Sequence, residues 1–573
     1  MENKQIYKTF NKSNDRPVTN NVYLCACICM IIPILNLIFG WIGITKKYPK
    51  DREGFRKQRT ICSAAFWVGL VEVVGGLIAL VTLLIMGYLG VEFNGNVQSS
   101  LVINFSIFGA VVIASAIFLW KVKLAGQGYK LLFVMYTIFW IPLMLLRENS
   151  GVFQNSIDAS YAWIALGAYG AVGIIIRPIA DVMSWGTKSR KTFIYFSLGL
   201  QILTYIPAVI IPCTATSVIQ SIAVGVGASA IGTYQLLFSE QYGKSKTFLT
   251  VSVLSIPPLL ADFISSPLTN VFRTIAYIPE TDPAKYNSDI LKWMWLVGLG
   301  FAIVALVMAF FLKENRNNIA VGDENKTQIH GQQLIWYFIL LLLLGSLIGF
   351  IKFACSGTAT VSHIEILERI AFGEDQSADI YVGYLSVIFS VAQLIGGLLV
   401  GLVLVKYMNK LAIFAIGAGL WGIYAIASMF AINPYGYLAI HFINGLAFGI
   451  LYNFVLAFAL GLCFKTKWIT PMGVYQAVLS IGVMFGTSIS NWLRFTMSTE
   501  TSVEYQENVL YLIYGVVAAM IFLSFMIYTI MFLLEKLYYK DHPDKAPKKS
   551  SYNVEFKKND EKLVKTTKNI PTN

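Results

Sequence analysis

Charge is scarce in this chain. Only 13% of its 573 residues are Asp, Glu, Lys or Arg, against 56% hydrophobic residues, which is too apolar for an ordinary soluble domain. The scarcity is uneven: 31 acidic residues face 44 basic ones, a formal charge of +13. In a soluble protein that excess would raise nucleic acid as a partner. Here the basic residues sit in loops and tails, so membrane topology explains them and no nucleic-acid partner is expected. Cysteine is also sparse. Cys25, Cys27 and Cys29 lie inside one apolar run and Cys62, Cys213, Cys355 and Cys463 in or beside others. Zinc needs ligands converging from turns, so no metal site is read from them. No Gly-x4-Gly-Lys-Ser/Thr stretch occurs, which excludes a visible ATPase motor. His-Glu-x-x-His is absent and no nucleophile is paired with a base, so no enzyme and no cofactor is expected. A secretory signal is not expected either. The first apolar run follows about twenty polar residues and leads to no small-residue cleavage site.

What the chain has in abundance is long apolar runs, from Val22 to Leu534, many near the roughly 20 residues a helix needs to cross a bilayer. Backbone in lipid must satisfy its own hydrogen bonds, so these runs read as helices of an all-α polytopic membrane protein. About fifteen spans are predicted. Three occupy 22–45, 62–90 and 101–120. Six follow at 130–146, 160–183, 192–213, 216–238, 248–272 and 291–312. After a polar connection at 314–333, six more occupy 334–355, 380–405, 411–431, 435–463, 469–492 and 509–534. Basic clusters then fall on one side: Lys46 to Arg59, Lys188 with Arg190 and Lys191, Lys244 with Lys246, Lys406 with Lys410, and Lys465 with Lys467. Opposite loops are acidic, with Glu365, Glu368, Glu374, Asp375 and Asp379 in one. The basic side reads as cytoplasmic, and with it a disordered tail at 537–573. Fifteen spans put Met1 outside. A re-entrant first run, broken at Pro33 and Asn36, would put it inside. Frequent Lys, Asn and Ile fit an AT-rich bacterial genome, hence a bacterial cell membrane.

The last twelve spans repeat. At an offset of about 220 residues, Arg177-Pro-Ile-Ala-Asp181 meets Gly397-Leu-Leu-Val-Gly401. Ser221 to Gly227 likewise meets His441 to Ala447. Residues 127–536 thereby resemble the major facilitator superfamily, whose signature between the second and third helices joins an Asp to a basic cluster. Here Asp181 precedes Lys188, Arg190 and Lys191, although Asp181 comes a turn early and Arg177 stands where a Gly would be. The resemblance implies two six-helix halves, 127–313 and 334–536, related by an axis along the membrane normal. Residues 1–126 form an N-terminal extension outside it. That extension holds Glu72 within its second span, a carboxylate read as serving packing or assembly.

Ionisable groups at membrane depth are functional candidates, because exposure to lipid is costly. Arg177 and Asp181 share a helix face and, with Lys188, Arg190 and Lys191, are candidates for an inner gate. Asp262, flanked by Pro257, Pro258 and Pro267, and His441 are candidates for coupling to a proton or cation. Lys352 is placed to contact an anionic substrate or to pair with an acid. In the resembled family the first, fourth, seventh and tenth core helices line the cavity. That assigns Tyr136, Trp140, Gln220, Tyr234, Gln235, Trp336, Tyr337, Asn444, Tyr452 and Asn453 to it. Aromatics and amides suit a polar organic solute.

The expected function is a secondary active transporter moving a small organic solute by alternating access. Two alternatives stand beside it. One is export of amphipathic compounds or lipids. The other is a non-transporting receptor or assembly protein that holds a partner protein through residues 1–120.

Overall fold

The computed structural model describes residues 38, 40–42, 62, 65, 129–158, 161–240, 247–276, 286–312, 314, 332–355, 358–372, 378–465, 471–499 and 502–541. The chain divides into Met1–Lys123 and Leu124–Asn573. Of the first unit, the described residues are helical. Apart from those few positions, its expected spans lie outside the described residues, as do Glu72 and the Lys46–Arg59 cluster. So do most of the 314–333 connection and the tail beyond Asp541.

In the second unit the first half comprises α1 (Tyr129–Ile157), α2 (Ala162–Gly186), α3 (Lys191–Ile210), α4 (Thr214–Phe238), α5 (Thr247–Leu254), α6 (Ile256–Ala276) and α7 (Trp293–Phe311). The second half comprises α8 (Gln332–Ala354), α9 (Thr358–Phe372), α10 (Ala378–Leu399), α11 (Lys410–Met429), α12 (Pro434–Lys465), α13 (Pro471–Thr499) and α14 (Val503–Asp541). Nine of the described helices are long and apolar enough to cross a membrane. Breaks explain some shortfalls. Pro257 and Pro258 bring no backbone N–H, so one apolar run splits into α5 and α6 at Ser255. In the opposite half α10 passes into a π-turn at Val400–Leu404, which contains Gly401.

Both halves use one packing scheme. α1 packs on α6 and α7, as α8 packs on α13 and α14; α2 and α3 pack on α4, as α10 and α11 pack on α12. The repeat extends to single contacts. A Cβ on Gly225 of α4 would meet Tyr169 and Val172 of α2, and one on Gly445 of α12 would meet Phe389 and Ala392 of α10. Each residue of the second set follows its counterpart by 220 positions (445 minus 225, 389 minus 169, 392 minus 172). Small residues at these points let helices approach closely.

Three segments depart from the sequence reading. Residues 358–372, read as part of an acidic loop, form α9. Its Ile364, Ile366 and Leu367 are buried, and Glu368 is buried with them. Apolar residues on the packed face outweigh the acids that made the segment look like a loop. Likewise α1 runs to Ile157 rather than stopping near 146. The polar residues past that point are satisfied inside the protein: Asn149 donates to the Leu145 carbonyl at 2.6 Å and to Thr269 Oγ1 at 3.0 Å, and accepts from Arg273 Nε at 2.9 Å. The last helix also continues five residues past the expected boundary of 536, to Asp541.

Candidate functional site

The two halves meet along α2 and α13, and along α5 and α6 against α10. At the end of the molecule that carries the Thr187–Arg190 turn, α2 grips the first turns of α13 at two points. Asp181 accepts a hydrogen bond from the Gly473 backbone N–H at 2.7 Å, and Arg177 Nη1 donates to the Gln476 carbonyl at 2.6 Å. Helix periodicity makes this possible, since residues four apart project from one face. Asp181 also meets the N-terminal end of α13, where backbone N–H groups lack helical partners and favour an anion. Across from this pair, Gln476 Nε2 donates to Gln235 Oε1 of α4 at 3.2 Å. The second seam is built from small residues. Ser252 donates to the Gly397 carbonyl at 2.6 Å, and Ser390 donates to Asp262 Oδ2 at 2.6 Å.

A buried charge group stands behind Asp181. Arg190 lies 3.8 Å from Asp181 and forms a forked pair with Glu240, with Nη2 and Nε at 2.8 Å and 3.2 Å from Oε1. The turn before it closes with Lys188 at a φ of 50°, a left-handed conformation unusual for a side chain with a Cβ. Glu314 secures the turn by accepting from the Arg190 N–H and from Ser189 Oγ. Lys191 points the other way. Its ammonium donates to the Leu312 carbonyl at 2.8 Å, at the C-terminal end of α7, and lies 5.3 Å from the Tyr195 ring centre.

Between the halves lies a cavity of about 140 Å³. The first half contributes Trp140, Arg147, Tyr169, Arg177 and Gln235, and the second contributes Lys352, Gln393, Tyr452, Asn453 and Gln476. Phe448 adds an apolar wall, stacked on Tyr452 with ring centres 5.1 Å apart. The lining combines aromatic faces with a few polar groups, the composition common to small-molecule sites.

No family model matches the chain. No curated protein matches it either. Solved structures do. A double-tryptophan variant of XylE aligns at 14% identity over 71% of this chain and 97% of its own, with a TM-score of 0.52. The human organic anion transporter MFSD10 aligns at 10% identity over 70% of this chain and 99% of its own, with a TM-score of 0.51. An all-helical membrane fold is what they share with this chain. The fold is that of the major facilitator superfamily.

The scaffold sorts the residues picked from sequence. Trp140, Gln235, Lys352, Tyr452 and Asn453 reach the cavity, and so does Arg177. Tyr136 and Tyr234 do not line it. They are fully buried and stack on each other, ring centres 4.3 Å apart, inside the first half. Asn444 is turned away, its carbonyl accepting from Trp421 Nε1 at 2.7 Å. Gln220 is buried in the first half and is not among the lining residues. Trp336 is 59% exposed on the outer face of α8, and Tyr337 packs on the second-half core. Lys188 is exposed and Lys191 is held within its own half, so neither contacts α13 in the described structure. Asp262 bridges the halves without lining the cavity, one turn beyond the lining residue Pro258. His441 sits deep in the second half among Phe389, Tyr424 and Tyr437.

Sequence reading missed Arg147, Glu240 and Gln476. It also missed His363, whose Nδ1 lies 2.7 Å from Tyr514 Oη in a chain of buried hydroxyls running through Tyr437 to Tyr424. Glu240 left no legible signal, because its partner Arg190 lies 50 residues earlier in the chain.

Proposed function

We propose that this protein is a secondary active transporter that moves a small organic solute across the cell membrane by alternating access. One observation carries the reading: the cavity is lined by side chains from both halves, so motion of one half against the other must remake it. In this reading Arg177 and Asp181 form the inner, cytoplasmic gate. Closing it makes the bonds to Gln476 and Gly473, and opening it breaks them. Solute then meets Trp140, Gln235, Tyr452 and Asn453 in the closed-gate state and leaves once α2 and α13 part.

Asp262 fits the coupling role. It accepts from Ser390 of the opposite half through Oδ2, and Oδ1 has no hydrogen-bond partner among the described residues. Adding a proton to that carboxyl changes a contact between the halves, which links protonation to their separation. His441 remains the second coupling candidate, through the aromatic group it shares with Tyr424 and Tyr437.

Uptake of radiolabelled solutes into proteoliposomes, with and without a pH gradient, tests the reading. Saturable, gradient-stimulated accumulation of one class is the expected result. No accumulation across carboxylates, phosphate esters, sugars, amino acids and nucleosides would sink it and favour a receptor or assembly role. Asp262→Asn is expected to leave equilibrative exchange intact while abolishing stimulation by the gradient. Stimulation that survives the substitution removes Asp262 from the coupling step. Asp181→Ala should lower the initial uptake rate by roughly tenfold, the effect of losing one charge-assisted hydrogen bond from a conformational equilibrium. An unchanged rate would take Asp181 out of the gate.

A further inference from the structure

The cavity wall is rich in carboxamides. Gln235 of α4, Gln393 of α10, Asn453 of α12 and Gln476 of α13 all line it, so helix periodicity on one element does not account for their convergence. Two of them bond each other across the halves, Gln476 Nε2 donating to Gln235 Oε1 at 3.2 Å. The backbone holds Gln476 in place for this, because its carbonyl accepts from Arg177 Nη1 at 2.6 Å and from Ser480 Oγ at 3.0 Å. Asn453 is oriented too. Its Nδ2 donates to the Gly449 carbonyl at 2.9 Å, and its Oδ1 has no hydrogen-bond partner among the described residues. The residue is 1% exposed, and a buried acceptor left unpaired is costly until something donates to it. The basic side chains at the same wall are engaged by protein groups: Arg177 by the Gln476 carbonyl, Lys352 by the rings of Phe389 and Phe448, and Arg147 by the ring of Tyr169.

We infer that the cavity takes a small neutral solute built of a planar ring and an amide or lactam group, the amide entering between Gln235 and Gln476 and the ring resting against Trp140, Phe448 and Tyr452. This rests on the transport reading and names its substrate class. Parting an amide–amide bond leaves an acceptor on one half and a donor on the other, whichever partner donates. A solute that fills the gap must donate and accept from neighbouring atoms. An amide does both, whereas a carboxylate only accepts. A second N–H, as in a primary amide or a uracil ring, meets Asn453 Oδ1; a single hydroxyl, with one O–H, cannot serve both acceptors. Aromatic walls suit the flat faces of a ring. The size fits as well. A dry cavity of about 150 Å³ accommodates benzene, so one of about 140 Å³ takes a solute on the order of six to ten heavy atoms. The solute and the Gln235–Gln476 bond then exclude each other, so occupancy changes a contact between the halves directly.

Thermal unfolding of the full-length protein in detergent, at matched ionic strength, is the test. The probes are benzamide and uracil. Their controls are N,N-dimethylbenzamide, which has no N–H, benzoate, which is charged and only accepts, and acetamide, which has no ring. A saturable rise in the midpoint with benzamide or uracil, and little or none with the controls, is expected. Asn453→Leu removes an acceptor that no described protein group satisfies. It should weaken the bound probe by about tenfold and leave the midpoint without probe unchanged or higher. Gln476→Leu should weaken it by a smaller factor, because the bond across the halves no longer has to be parted. The assignment falls if N,N-dimethylbenzamide or benzoate binds as tightly as benzamide, if acetamide matches it, if both variants bind unchanged, or if neither probe stabilises at millimolar concentration. Gradient-driven accumulation of the same probes in vesicles, above the level in protein-free vesicles, separates the substrate class from the transport reading. Amide binding without accumulation keeps the site and sinks transport. Accumulation of another class with no amide binding does the reverse.

Discussion

Arg190→Gln is expected to be the most damaging charge substitution in the first half. The guanidinium is 3% exposed and lies between two carboxylates that are themselves almost fully buried, Asp181 and Glu240. Removing the cation leaves two like charges near one another with little solvent to screen them. Breaking a buried ion pair by deleting one member costs about 3–5 kcal/mol. For a helical unit of this kind that corresponds to a fall in thermal midpoint of roughly 5–10 °C. Arg190→Lys should recover little, because a single ammonium cannot reproduce the forked contact to Glu240. Replacing the pair is a different matter. Arg190→Met combined with Glu240→Met removes both desolvated charges and should regain most of the lost stability, since apolar groups of similar volume commonly substitute for buried pairs. A double variant as unstable as Arg190→Gln alone would show that the charges themselves, and not their mutual cancellation, hold the end of α4 to the α2–α3 turn.

That group also marks how far sequence reading reached. The basic loop and Asp181 were legible because charge interrupting an apolar run is conspicuous. Glu240 was not, because its partner lies 50 residues earlier and only the packing of α4 beside α2 and α3 brings them together. The apolar runs gave α3 and α4 nearly to their ends and both six-helix halves, because lipid leaves the backbone no alternative to helix. Where a helix continued through polar residues, the runs misled. Arg147 was lost as a cavity residue because the apolar run of α1 ends at Leu146, whereas the helix goes on to Ile157. Position along a helix axis was the other missing quantity. Trp140, Met144 and Arg147 share the cavity face of α1, whereas Tyr136 lies one turn before Trp140 and packs on Tyr234 instead. Asn444 and Phe448 are likewise one turn apart on α12, yet Asn444 bonds Trp421 and Phe448 lines the cavity. Hydropathy gives a helix's length, and which turns of one face reach the cavity is set by neighbours a single sequence does not reveal.

Gly482→Val should have an effect as large as any charge change, at a position with no charge nearby. α8 and α13 approach through two pairs of glycines, Gly345 with Gly349 and Gly482 with Gly486, each pair four residues apart on its helix. A Cβ on Gly349 would lie 2.7 Å from the Leu479 carbonyl oxygen, closer than carbon and oxygen can pack. One on Gly482 would overlap the Ser346 carbonyl more severely still. The obstacle in both cases is backbone, which has no rotamer to escape into. Accommodation therefore requires α8 and α13 to separate along their contact, forfeiting dispersion between closely packed helices. Overpacking costs typically 1–3 kcal/mol where side chains can shift, and a backbone clash at a helix seam should exceed about 3 kcal/mol. The consequence reaches the cavity, because α13 carries Gln476 and Ser480 and α8 carries Lys352. Size-exclusion chromatography of Gly482→Val should show loss of the monodisperse peak. The control is Gly419→Val on α11, where an added Cβ meets nothing within 4 Å, and it should elute as the unaltered protein does. Equal behaviour of the two variants would mean that the α8–α13 seam tolerates a wider spacing, and that the stability of the second half comes from elsewhere.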